Sequence, residues 1–119
     1  MSDHYILGKK GEQLAVEFLI DKNYTILEQN YRFNKAEVDI IAKKENILAV
    51  IEVKTRSTSE FGSPQDFVKP KQIKNLIKAV DAYVIEHDLS LEVRFDIIAI
   101  ITKNGNHMIE HLEDAFYHF

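Results

Sequence analysis

Cysteine is absent from the 119 residues. Its absence excludes disulfides, thiolate zinc sites and a cysteine nucleophile, and makes a reducing, cytoplasmic compartment the expectation. No apolar run exceeds that from Ile47 to Ile51, far short of the roughly 20 residues a membrane helix needs. The N-terminus also lacks the basic-then-apolar pattern of an export signal. Four glycines and two prolines are too few for a flexible linker, and no low-complexity stretch or fixed-period repeat is present. One domain over residues 1–119 is the expectation. Positive charge is not in excess either: 15 Lys plus Arg against 19 Asp plus Glu give a formal net charge of -4. The balance argues against binding nucleic acid through overall charge and leaves a segregated basic patch to serve.

What is present is a clear alternation of periods. From Gly8 to about Lys22, Gly11, Leu14, Ala15, Phe18 and Leu19 recur at three- and four-residue spacing and predict a helix. Tyr24 to Phe33 reads as a strand ending at an Asn34-Lys35 turn. From Glu37 to Lys43, strand parity puts Val38, Ile40 and Ala42 on one face and Glu37, Asp39 and Ile41 on the other. Ile47 to Arg56 is apolar on both faces until its last few residues, as a central strand is. Ser57 to Gln65 has loop composition, and Pro70 then opens a second helix running to about His87. Val93 to Ile101 is a further apolar strand, and Asn104-Gly105 is a hairpin signal that returns Met108 to Leu112 beside it. The order α-β-β-β-α-β-β predicts a mixed α/β sheet flanked by helices.

The chemistry gathers on the second and third strands. A two-residue turn at Glu45-Asn46 pairs Lys44 with Ile47, and counting back puts Asp39 opposite Glu52, on the side shared with Ile41, Leu48 and Val50. Like charges directly opposite destabilise a sheet unless a counterion joins them. Two carboxylates with few other ligands suit Mg²⁺ or Mn²⁺, which keeps waters and takes phosphate oxygens. Lys54 shares the face of Glu52 and could orient the attacking water. The set fits a metal-dependent phosphodiesterase. An ordinary solvent-facing Glu-X-Lys pair at a strand end fits the residues equally well.

Other residues read both ways. Glu12, at the edge of the first helix's apolar stripe, either points toward the sheet end or is a solvated helix acid. Glu37 either supports Asp39 or pairs with Arg56 or Lys54. Lys71, Lys74 and Lys78 form one helix stripe that, with Arg56 and Lys69 nearby, would contact phosphate or simply face solvent. His107 and His111 lack the further ligands a zinc site needs. Tyr24, Tyr31, Phe33 and Phe67 are expected in the core, whereas Phe61 sits in the exposed-looking loop.

Seven ordered blocks also carry a resemblance: Gly11-Glu12, Asn30-Tyr31-Arg32, Glu37 to Ala42, Val50 to Arg56, Phe61 to Pro64, Lys71, and Arg94-Phe95-Asp96. Together they resemble the YraN-like family of small bacterial proteins, itself similar to the PD-(D/E)XK, or restriction-endonuclease-like, superfamily and its archaeal Holliday-junction resolvases. The resemblance implies a restriction-endonuclease-like fold and a Mg²⁺- or Mn²⁺-dependent endonuclease acting on DNA, branched or single-stranded. It makes Asp39, Glu52 and Glu12 metal ligands and Lys54 the fourth catalytic residue, and the place of Lys71 in the pattern favours the DNA-contact reading of the basic set Arg56, Lys71, Lys74 and Lys78. A homodimer follows by the same likeness. Ala36 departs from the glycine usual before the Glu-X-Asp segment and bears on the turn rather than on the acids. The alternative is a non-catalytic nucleic-acid-binding or scaffolding module on the same fold, which has no need of the cation.

Overall fold

The computed structural model describes residues 3–57 and 69–115. The expected Ser57–Gln65 loop, apart from Ser57 itself, and Phe61 and Phe67 lie outside these residues. In chain order the elements are α1 (Asp3–Asp21), β1 (Thr25–Phe33), β2 (Ala36–Lys44), β3 (Ile47–Ser57), α2 (Pro70–Glu86), β4 (Glu92–Lys103) and β5 (Asn106–Leu112). They form one five-stranded sheet ordered β1-β2-β3-β4-β5. β3 and β4 run parallel, and the other neighbours are antiparallel. This is the mixed sheet with helices that the sequence order predicts.

Local chemistry explains the boundaries. Pro70 stands at the first position of α2 behind an extended Lys69, where its missing N–H costs nothing. Asn23, with φ 72°, ends α1, and the Tyr24 N–H closes back on the Leu19 carbonyl at 2.9 Å. Asn104 and Gly105, at φ 51° and 80°, make the β4–β5 hairpin turn. α1 begins at Asp3, earlier than the expected Gly8.

Each sheet face carries its own core. α2 covers Val38, Ile41, Leu48, Val50 and Ile97 with Ile73, Leu76, Ala79, Val80 and Tyr83. α1 covers Ile40, Ala42, Ala49, Ile51, Ile98 and Ile100 with Ala15 and Leu19. β3 is apolar on both sides because it lies between these layers. Tyr24 is buried, and Tyr31 and Phe33 pack at the margin of the α2-side core. Among the described residues no helix is long and apolar enough to cross a membrane.

Strand parity holds for β3 but fails in β2. Val38 joins Ile41 on the α2 side instead of joining Ile40 and Ala42. The break falls between the pairs Gln29↔Ile40 and Tyr31↔Val38, where Asn30 turns to φ 54°. Asp39 lies opposite this break.

Candidate functional site

The β2–β3 hairpin has the register read from the sequence. Lys44 pairs with Ile47 across the Glu45-Asn46 turn, and the ladder ends at Ile40↔Ile51. Asp39 and Glu52 occupy the next step, where β2 and β3 part while β3 stays paired to β4 through Glu52↔Ile97 and Lys54↔Ala99. Asp39 Oδ2 accepts the Val53 N–H at 2.7 Å. The carboxylate thus takes the place of a strand carbonyl and holds the fork open.

Glu52 is the less satisfied of the two acids. Its Oε1 lies 3.4 Å from Gln72 Nε2 and 3.8 Å from Lys54 Nζ, whereas its Oε2 is buried with no hydrogen-bond partner. Burial, reinforced by the charge of Asp39 and opposed by Lys54, pushes its carboxyl up to about 8. Burial also raises Asp39 to about 6 against the Val53 N–H, with Glu12 and Glu37 adding to the rise. A buried carboxylate oxygen without a partner costs free energy that protonation or a cation removes. The donor set fits a hard divalent cation. No three acids or histidines among the described residues converge closely enough to enclose an ion, so water or ligand oxygens would complete the shell.

Glu12 approaches from the other element. Gly11 is buried against Thr55, and a Cβ at Gly11 would overlap the Thr55 Oγ1. This contact brings α1 close to the end of β3, and Glu12 lines a cavity of about 320 Å³ with Asp39, Glu52, Lys54 and Arg56. Burial raises the Glu12 carboxyl, Lys9 opposes the rise and Glu37 adds to it. The Asn30 amide, its nitrogen turned toward the two acids, donates to Glu12 Oε1 at 2.9 Å and Glu37 Oε1 at 3.2 Å. Glu37 pairs with Arg32 at 3.1 Å, not with Lys54 or Arg56 as the sequence suggested, because Arg32 is its cross-strand partner. Gly11→Ala is expected to lower stability by about 1–3 kcal/mol through overpacking, less about 1 kcal/mol of helix propensity. Thr55→Ala in the same chain should restore most of the loss. Thermal melts of the single and double variants check this, and a Gly11→Ala protein as stable as the parent would refute the tight contact.

Beside α2 a second cavity, of about 540 Å³, is lined by Lys35, Glu37, Asp39, Glu52, Lys69 and Lys71, with Gln72, Asn75 and Leu76. Lys78 lines a smaller neighbouring cavity shared with Lys35 and Asn75. Lys74 is exposed and lines neither. Arg56 lines the cavity that Glu12 shares with the acids and donates to the Thr55 carbonyl at 2.8 Å. The predicted basic stripe is thus divided: Lys71 shares a cavity with the acids, Lys78 lines the neighbouring one, and Lys74 lines neither.

Sequence reasoning missed two features. Asn30 had no polar partner in view until the strands were paired. The second is a buried cluster on β4: Asp96, fully buried, takes bonds from Arg94 Nε at 2.9 Å and Nη2 at 2.8 Å. It also takes the Asp114 N–H at 3.0 Å and contacts His111 Nε2 at 2.8 Å. Arg94 Nη2 further donates to the Tyr24 hydroxyl at 2.6 Å. An aspartate inside the apolar Val93–Ile101 run, with an arginine two residues earlier on the same face, was the available signal. His111 is engaged here, and His107 is exposed.

Residues 11–100 match the model of the family described as Uncharacterised protein family UPF0102. The chain is similar to a UPF0102 protein of Christiangramia forsetii, 65% identical over 119 residues and the full length of both chains. A UPF0102 protein of Flavobacterium psychrophilum is 63% identical, also over the full length of both. A UPF0102 protein of Phocaeicola vulgatus is 45% identical, covering 98% of this chain and 97% of its own.

Proposed function

The chain belongs to Uncharacterised protein family UPF0102, the YraN-like family its seven blocks resemble, and from this site we propose a divalent-cation-dependent nuclease acting on DNA. One observation carries the reading: two mutually repelling, largely buried carboxylates at a strand fork, one oxygen unpartnered, with a lysine beside them. Asp39 and Glu52 would hold Mg²⁺ or Mn²⁺, and Glu12 would approach through the ion's shell. Bound there, the cation would offset the two charges and polarise a phosphoryl oxygen.

The chain's own groups supply the rest. Lys54, its ammonium 3.8 Å from Glu52 Oε1, sits where it can donate to an attacking water or a phosphoryl oxygen. Val53 fixes Asp39 through its N–H, and Asn30 keeps Glu12 and Glu37 from swinging apart. Arg56 and Lys71, each lining a cavity that also holds the acids, supply the segregated positive charge that a chain of net charge -4 needs to hold DNA. Lys74 and Lys78 would extend that contact along α2.

The test is cleavage of single-stranded, duplex, flap and four-way DNA by the purified protein, with Mg²⁺, Mn²⁺ or a chelator. Cation-dependent cleavage is expected. Lys54→Ala should lower kcat/KM by about 100-fold, within the range of a positioned proton-transfer group, while DNA affinity changes little. Equal losses in the two would reduce Lys54 to a phosphate contact. A protein that neither binds a cation nor cleaves any of these DNAs would be the non-catalytic module instead.

A further inference from the structure

β1 and β5 are the two edges of the sheet, and they differ. β1 is irregular: its register shifts between Ile26 and Glu28, and Asn30 turns to φ 54°. Such irregularities keep an edge from pairing with another chain. β5 has none. It pairs with β4 without a slip from Lys103↔Asn106 to Ile97↔Leu112, and Asn106–Leu112 holds no proline or lysine and a single acid, Glu110. Its far end is pinned, with His111 Nε2 2.8 Å from Asp96 Oδ2 and the Asp114 N–H bonded to Asp96 at 3.0 Å. A straight edge held in place is a ready template for a further strand.

The hairpin turn fixes which groups of β5 face outward. Asn104 and Gly105 are both left-handed, and a two-residue turn of this kind closes on a hydrogen-bonded pair, here Lys103↔Asn106. Alternation then commits the backbone groups of Asn106, Met108 and Glu110 to β4 and points those of His107 and Ile109 away from the sheet. The side chains of Asn106, Met108 and Glu110 share one face, and all are exposed, Met108 by 69%. Among the described residues neither Lys103 nor Glu110 has an ion pair.

The family likeness implies a pair of copies but no surface for it. We propose that β5 is that surface, pairing antiparallel with the β5 of a second copy about a two-fold axis that passes through Met108 perpendicular to the sheet. Such an axis keeps each face on its own side, so residues opposite one another have the same parity. His107 then exchanges backbone bonds with the partner's Ile109, and Ile109 with the partner's His107. Met108 meets its own copy, which covers the exposed side chain. Asn106 stands opposite the partner's Glu110, and Lys103, one strand further in on the same face, reaches over Asn106 to that carboxylate. The symmetry repeats the ion pair. An axis at Ile109 would instead set the apolar Met108 against the Glu110 carboxylate, and an axis at Glu110 would set two carboxylates against each other. Asp39 and Glu52 lie on other strands, so the pairing leaves the fork of each copy open.

The experiment is sedimentation of the full chain, with circular dichroism to follow the fold. The parent is expected to form a dimer. Met108→Lys sets two ammonium groups against each other and should weaken that dimer at least about 100-fold, while the exposed position leaves the circular dichroism spectrum unchanged. Lys103→Glu and Glu110→Lys should each weaken it, and the two together should restore it. The register is tested by cross-linking, because the chain has no cysteine of its own. Met108 and its copy form a non-hydrogen-bonded pair with Cα atoms about 4.5 Å apart, within disulfide range. Met108→Cys should therefore give a disulfide-linked dimer on mild oxidation, and Glu110→Cys should not. A monomeric parent, or a dimer that Met108→Lys leaves intact, would overturn the interface. A dimer cross-linked through Glu110→Cys and not through Met108→Cys would overturn the axis. These outcomes stand whether or not the chain cleaves DNA.

Discussion

Asp39→Asn and Glu52→Gln are each expected to weaken Mn²⁺ binding by at least about 100-fold, since loss of a supporting group alone costs about 10–100-fold. The same substitutions should stabilise the cation-free protein at neutral and alkaline pH. Both carboxyls are raised in the folded state, Glu52 from 4.5 to about 8 and Asp39 from 3.8 to about 6. The folded chain therefore holds more protons than the unfolded chain between these values. Their contribution to cation-free stability is full below the ordinary carboxylate range and is lost as pH rises through about 6 for Asp39 and about 8 for Glu52. Melting temperatures in chelator from about pH 5 to about pH 9 should show this fall in the parent and a flatter profile in Glu52→Gln. Excess Mn²⁺ should restore the parent and leave the variants unchanged. Calorimetric Mn²⁺ titration gives the affinity directly, and a variant that binds as tightly as the parent would remove the acids from the cation site.

The largest loss of stability is expected from Arg94→Met. Arg94 makes three bonds to the fully buried Asp96 and one to Tyr24. Removing it leaves a buried carboxylate with too few partners, a change that costs about 3–5 kcal/mol. Burial would raise the Asp96 carboxyl, but bonds from His111, Arg94 and the Asp114 N–H outweigh it and hold the group below its ordinary range. Its contribution is therefore present above the unfolded value and lost as pH falls through the lowered one. Pairing Arg94→Met with Asp96→Leu should recover much of the loss, because the stranded charge goes with it. Urea unfolding of the three proteins settles the point, and a loss under about 1 kcal/mol for Arg94→Met would show the cluster to be dispensable.

Local patterns carried most of the fold. The hairpin turns, the Pro70 start and the apolar strands rest on neighbouring residues, so the element order could be read directly. The Glu45-Asn46 turn fixed the register that brings Asp39 level with Glu52. What stayed hidden depended on distant contacts. Val38 changed face across the Asp39 step, opposite the left-handed Asn30 of another strand, which alternation along β2 alone does not show. Arg32 claimed Glu37 through cross-strand pairing, and no spacing along the chain shows which charge is nearest. The closeness of α1 to β3 rests on Gly11 meeting Thr55, a contact between segments far apart in sequence. Glu12 looked like a surface acid for the same reason: helical periodicity gives its angle on α1 but not the element that α1 packs against.

The parallel pairing of β3 with β4 bears on the order of assembly. β1, β2 and β3 are joined by two-residue turns, and such hairpins close in microseconds. Joining Ile47–Ser57 to Glu92–Lys103 must first bridge α2 and its flanking chain, a loop whose closure entropy is spent before any contact repays it. Asp39 and Glu52 thus come level on an early, wet hairpin, where water screens their charges. Their repulsion reaches full strength only when α2 and β4 shut water out, late in folding. A divalent cation that answers this repulsion acts on the finished structure. It therefore lengthens the lifetime of the folded protein by slowing unfolding, with little effect on how fast the chain folds.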